Sequence, residues 1–266
     1  MSFEFTKENI DLYLKELAKA YRRLVGKEMP AELVLIGGAS VLINYGFRNM
    51  TTDIDALIKG ASAMKDAINQ VGDKYNLPNG WLNTDFMHTE SYSPKLAEHA
   101  KHYKTLSNVL ELYTVSAEYL IAMKLRSGRQ YKSDLSDVLG ILAEHEKKDS
   151  PISLGRIQAA AVDLYGGWNA LPESSRNYIG NVMENGDYET LFAKVRAGEQ
   201  ETKILLIEYE KHAPGVMKQS NVNVIADKLQ SKSDRASVLK QLREIQASQS
   251  EATLQPAEHD RNEHER

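Results

Sequence analysis

Leu33-Val34-Leu35-Ile36-Gly37-Gly38-Ala39-Ser40 and Thr51-Thr52-Asp53-Ile54-Asp55-Ala56-Leu57-Ile58 are the two stretches on which the fold of this chain turns. The first opens as a short run of branched apolar residues, the pattern of a buried strand, and closes on two glycines. Ala39 to Tyr45 then reads as a helix that stops at Gly46. The second stretch is another strand. Residues i and i+2 of a strand share a face, so Asp53 and Asp55 stand side by side with Ile54 and Leu57 behind them. Glycines directly after a strand let backbone N–H groups approach a phosphate chain with no side chain in the way. A helix beginning there adds its positive N-terminal end, and Ser40 can donate a hydroxyl hydrogen bond. Two adjacent carboxylates repel each other unless a cation lies between them, and hard oxygen ligands suit Mg²⁺.

Outward from this centre, Leu12, Leu14, Leu17, Tyr21 and Leu24 recur at near-helical spacing, which predicts an amphipathic helix over roughly residues 7–26. Ala61 to Tyr75 reads as a helix, and the Pro, Gly, Asn and His content of residues 76–102 as a loop with short elements. A third strand is expected within Leu106 to Val115. Ser116 reads as the N-cap of a helix to about Arg126, and a further helix spans Ser133 to Lys147. From Ser150 to about Gln246 helix follows helix, and the tail from Ala247 lacks apolar spacing. The expected fold class is α/β (α+β): a small mixed sheet flanked by helices, then an all-α region. The expected divisions are residues 1–148, 149–246 and a disordered tail 247–266.

Bulk composition narrows the chemistry. The 266 residues include no cysteine, which excludes disulfides and thiolate metal sites. A net charge of −4 gives no whole-chain signature of a nucleic-acid binder, although a local basic patch is compatible with it. The start shows no signal-peptide core. The most apolar run, Leu33 to Ile43, falls far short of the ~20 residues of a spanning helix, so a cytoplasmic protein without membrane contact is expected.

LVLIGGAS followed by TTDIDALI resembles the signature of the DNA polymerase β-like nucleotidyltransferase superfamily. The fourteen residues between Gly38 and Asp53 resemble the spacing in the AbiEii-type abortive-infection toxins and related bacterial nucleotidyltransferases. In those relatives a basic residue and a Ser or Thr precede the first Asp, a place filled here by Arg48, Thr51 and Thr52. SAEYLIAMKLRSGRQYKSDLSDVLGIL resembles the family's following helix pair, in which Lys124 and Asp134 take the positions of a Lys and an Asp that complete the site. Arg129 or Lys132 would line the turn between those helices. The resemblance implies nucleotide binding by Gly37, Gly38, Ser40, Arg48 and Thr52, and catalysis by Asp53, Asp55, Lys124 and Asp134. It implies Mg²⁺ held by Asp53 and Asp55, with Glu111 as a third carboxylate. Lys suits a phosphate as a point charge, and Asp can orient that Lys or accept a proton.

The implied reaction moves an NMP from an NTP to an acceptor hydroxyl. The toxin branch implies RNA (a tRNA end) or protein as acceptor, and a cognate antitoxin as partner. Two rivals stay open: a non-catalytic nucleotide- or partner-binding module on the same fold, and a small-molecule (antibiotic-type) nucleotidyltransferase. Trp81-Leu82-Asn83 resembles a motif that follows the Asp-x-Asp helix, and packing is the expected role of Trp81. His88, His99 and His102 read as surface histidines. Lys203, Lys211, Lys218, Lys228, Lys232, Arg235, Lys240 and Arg243 are interspersed with acids, which fits a solvated face or an RNA-facing stripe.

Overall fold

The computed structural model describes residues 3–218 and 220–231, so the expected tail 247–266 lies outside the described residues. The fold is mixed α/β with a helical C-terminal region. Five strands form one sheet: β1 (Ala31–Leu35), β2 (Ile54–Lys59), β3 (Leu82–Asn83), β4 (Ala100–Leu106) and β5 (Leu110–Val115), in the order β3-β2-β1-β5-β4. β1 runs parallel to β5 and antiparallel to β2, while β3 adds to β2 in parallel.

Helix α1 (Lys7–Val25) opens with a capping box, in which the Thr6 hydroxyl accepts from the Asn9 N–H and the Asn9 side chain accepts from the Thr6 N–H. Its inward stripe, Ile10, Leu14, Leu17 and Tyr21, joins α3 (Ala63–Tyr75) on one face of the sheet, against Leu33, Leu35, Ile54, Ala56, Leu110 and Leu112. The opposite face, carrying Val34, Ile36, Leu57 and Val115, packs under α4 (Ala117–Ser127), α5 (Asp134–Lys147), α6 (Leu154–Tyr165) and α7 (Glu173–Asn185). Apolar residues on both sides of the central strands explain why β1 reads as a continuous apolar run rather than an alternating one. The short α2 (Gly37–Asn44) leaves the end of β1 and contributes Val41 to one layer and Leu42 to the other.

One strand expectation changes. Residues 100–106 form β4, where the sequence predicts a loop through His102. This edge strand is mostly solvent-exposed and carries no apolar alternation from which to read it. Ser107 and Asn108, both with positive φ (53° and 54°), turn it tightly into β5.

The chain divides into two compact units. The first holds residues 1–129 and 133–196 and contains the whole sheet. The second holds 130–132 and residues from 197 on. In it Leu206, Val222 and Ala226 form a small core with Tyr131, Met217, Ile225 and Leu229. Among the described residues no helix is long and apolar enough to cross a membrane.

Candidate active site

The glycine turn and the second Asp meet at one end of the sheet. The Ile36 N–H donates to the Asp55 carbonyl at 2.9 Å, which ties the end of β1 to the start of β2. Gly37 takes a φ of +56°, and a Cβ placed on it would lie 3.4 Å from the Asp55 Oδ2. Glycine therefore serves twice here, supplying a left-handed backbone and leaving room beside the carboxylate. The N-cap residue, Ile36, makes no side-chain cap hydrogen bond, and α2 begins beside that carboxylate. Asp53 is exposed and stands one residue ahead of β2, and strand alternation carried back one step puts it on the Asp55 face. Asn83 is directly opposite Asp55 on β3. Its amide accepts from the Asp85 N–H at 2.8 Å and donates to the Gly80 carbonyl at 3.1 Å, fixing the loop that borders the acids.

Gly38 admits two further groups. A Cβ on it would lie 2.5 Å from the Thr51 Oγ1 and 2.9 Å from the Arg48 Nη2, so only a residue without a side chain lets both reach the turn. Thr51 is buried and bridged to Phe5 by two backbone hydrogen bonds, of 2.7 and 2.9 Å. Arg48 donates from Nε to the Met50 carbonyl at 3.0 Å and from Nη1 to the Asp137 carboxylate.

Asp137 opens onto a buried ionic chain. Lys124 Nζ is 2.8 Å from Asp137 and 2.9 Å from Asp134, and Arg129 Nε is 2.7 Å from Asp134. Lys124, Asp134 and Asp137 are only 5%, 1% and 2% exposed. Burial works against the Lys124 ammonium, but Asp134 and Asp137 outweigh it and its pKa stands above the ordinary lysine value. Burial likewise works against the Asp134 carboxylate, and Lys124 and Arg129 outweigh it, holding its pKa well below the usual range. Asp134 is therefore held ionised and paired.

Residues 13–144 match the model of a family described as a nucleotidyltransferase of unknown function (DUF6036). Over this segment the chain is similar to a nucleotidyltransferase family. The matched stretch runs from within α1 into α5, so it holds the glycine turn, the Asp-x-Asp, Lys124, Asp134 and Asp137. No curated protein and no solved structure matches the chain significantly.

Within the matched segment two expected residues stand apart from the turn. Ser40 is fully buried in α2, with its hydroxyl 3.5 Å from the Asn44 amide, so it offers nothing to a ligand at the helix end. The helix starts two residues earlier than expected, which turns position 40 inward. Glu111 pairs in register with Glu32, itself opposite Lys59, whereas Asp55 lies beyond the Ala56–Leu35–Thr114 row. Four register positions at ~3.3 Å each put Glu111 about 13 Å along the sheet from Asp55, too far to share an ion. Its carboxylate instead meets His102 Nε2 at 2.9 Å and Thr105 Oγ1 at 2.7 Å.

The remaining placements are mixed. Thr52 is exposed next to the buried Thr51, and it is Thr51 whose hydroxyl reaches Gly38. Trp81 is 3% exposed and donates from Nε1 to the Ile68 carbonyl, which makes it a packing residue. His88 is exposed, and His99 stacks on Tyr119 and meets Asp163 at 2.6 Å. Sequence reasoning missed Asp137. Its spacing of three from Asp134 puts both on one helix face, a signal present in DLSD but visible only if the two acids are read together.

Proposed function

We propose that the chain transfers an NMP from an NTP to an acceptor hydroxyl. The observation that carries this reading is the Asp55 carboxylate lying against a side-chain-free turn at a helix N-terminus. The donor set of Asp53 and Asp55 is all oxygen, which suits Mg²⁺. That ion commonly takes one or two carboxylates and completes its shell with substrate phosphates and water. Asp53 and Asp55 would hold Mg²⁺, which neutralises triphosphate charge and eases ionisation of the attacking hydroxyl.

The chain's own groups do the rest. The Gly37 and Gly38 N–H groups and the Arg48 guanidinium grip the phosphates, with Thr51 and Thr52 on the approach to Asp53. Lys124 and Asp134 support this wall from behind. The acceptor oxygen bonds to the α-phosphorus as the bond to the bridging oxygen breaks, pyrophosphate leaves, and the hydroxyl proton passes to solvent. The resemblance to AbiEii-type toxins extends the proposal to an RNA end or a protein side chain as acceptor, and to a toxin held in check by an antitoxin.

Incubating the protein with each α-labelled NTP, total RNA and cell protein tests this reading. Label should enter RNA or protein and be lost in the Asp53→Ala Asp55→Ala protein. Absence of transfer with all four NTPs would refute it. The position of Glu111, away from the acid pair, favours one rival, a module that binds nucleotide without turnover. Mg²⁺-dependent NTP binding that persists unchanged over long incubation would select that rival.

A further inference from the structure

We infer that Asp137 is a positioning residue, which holds the Arg48 guanidinium over the Gly37–Gly38 turn, and that Lys124 serves the triphosphate through Asp137 rather than by touching it. The inference rests on the nucleotidyltransferase reading above.

Arg48 is fixed on two sides, from Nε to the Met50 carbonyl and from Nη1 to Asp137, and its remaining amino group, Nη2, is the one beside Gly38. A guanidinium is a planar fork, so fixing two of its edges sets the direction of the third. That third edge lies beside Gly38 in the first turn of α2, where the phosphates are proposed to sit. Lys124 has no comparable access. It is 5% exposed, and its ammonium is engaged by Asp134 at 2.9 Å and Asp137 at 2.8 Å. The geometry therefore makes Arg48 the cation that meets the ligand and Lys124 the cation that holds Asp137 in place. Without Asp137 the long Arg48 side chain would have to be ordered when nucleotide binds, a cost that falls on binding.

The test is a KM-against-kcat split in the full chain, with the best of the four NTPs and Mg²⁺. Asp137→Asn should raise KM for the NTP about tenfold and leave kcat within about twofold. In an Arg48→Ala background the same change should add nothing, because the effect runs through Arg48. An unchanged KM, a loss confined to kcat, or effects that multiply in the double variant would overturn the inference. If Asp137→Asn does not fold, ¹⁵N NMR of the unaltered protein decides instead. The Arg48 Nη groups, assigned by their loss in Arg48→Ala, should give separate, slowly exchanging signals, and a single averaged signal would overturn the inference. If the unaltered protein neither binds nor turns over any NTP, the parent reading fails, while the NMR result still reports whether Arg48 is held.

Discussion

Asp55 and Glu111 project from the same face of the same sheet and differ in everything that surrounds them. At the Asp55 end, β1 breaks into a glycine turn, a helix begins, and Arg48 and Thr51 converge on Gly38. At the Glu111 end, the carboxylate is engaged by His102 and Thr105 on the neighbouring edge strand, in a row with Glu32 and Lys59. Strand alternation tells which face a side chain takes. What stands at its own level on adjacent strands tells whether it can do chemistry, and only the register supplies that.

The sharpest way to break this contrast is by activity. Asp55→Ala should cut the initial rate of label transfer at least about a hundredfold, the scale of losing one charge contact made in the transition state. Glu111→Ala should stay within about twofold. Equal losses would erase the distinction between the two ends.

Stability sharpens the contrast from another side. Asp134→Asn removes one of the two carboxylates at Lys124 and the one bonded to Arg129, and should cost about 3–5 kcal/mol in urea unfolding. Glu111→Gln, which loosens a partly exposed pair, should cost under about 1 kcal/mol. The Asp134 effect has a pH signature. Its folded pKa is depressed, so its contribution is complete above the unfolded carboxyl value of about 3.9 and is lost as pH falls from there toward the folded value. The gap between the native protein and Asp134→Asn should therefore be constant at neutral pH and narrow below about pH 4. A gap that widened on acidification would contradict the pairing.

At the turn itself the expected effect is smaller than at Asp134. Gly37→Ala forces a side chain into a left-handed backbone and should cost about 1–2 kcal/mol. It should also weaken NTP binding measured by titration, because the new methyl group approaches Asp55. Unaltered binding would mean that the turn is not where the phosphates lie.

The part of this site legible in the sequence was the part written in consecutive residues. LVLI, Gly-Gly and Asp-Ile-Asp each carry a local physical signal, and the turn and the second acid do meet in space. What eluded the sequence depended on partners far along the chain. β4 is an edge strand whose Lys, His and Tyr residues face water, so no apolar rhythm marks it. The distance of Glu111 from Asp55 follows from strand register, which a single strand does not encode. Ser40 was one helical turn out of reach because α2 begins at Gly37. Asp137 gains its place only from the packing of α5 against α4, which brings it between Lys124 and Arg48.

One contact in the core has a reach beyond its neighbourhood. The ring of Phe47 rests on Gly140 of α5 so closely that a Cβ there would lie 2.5–2.6 Å from three ring carbons. Phe47 immediately precedes Arg48 in the chain. The height at which the arginine's backbone rides is thus set from underneath, by a missing methyl group on a distant helix. Sequence drift at position 140 would register first as a misaimed guanidinium, before any change in the helix that bears it.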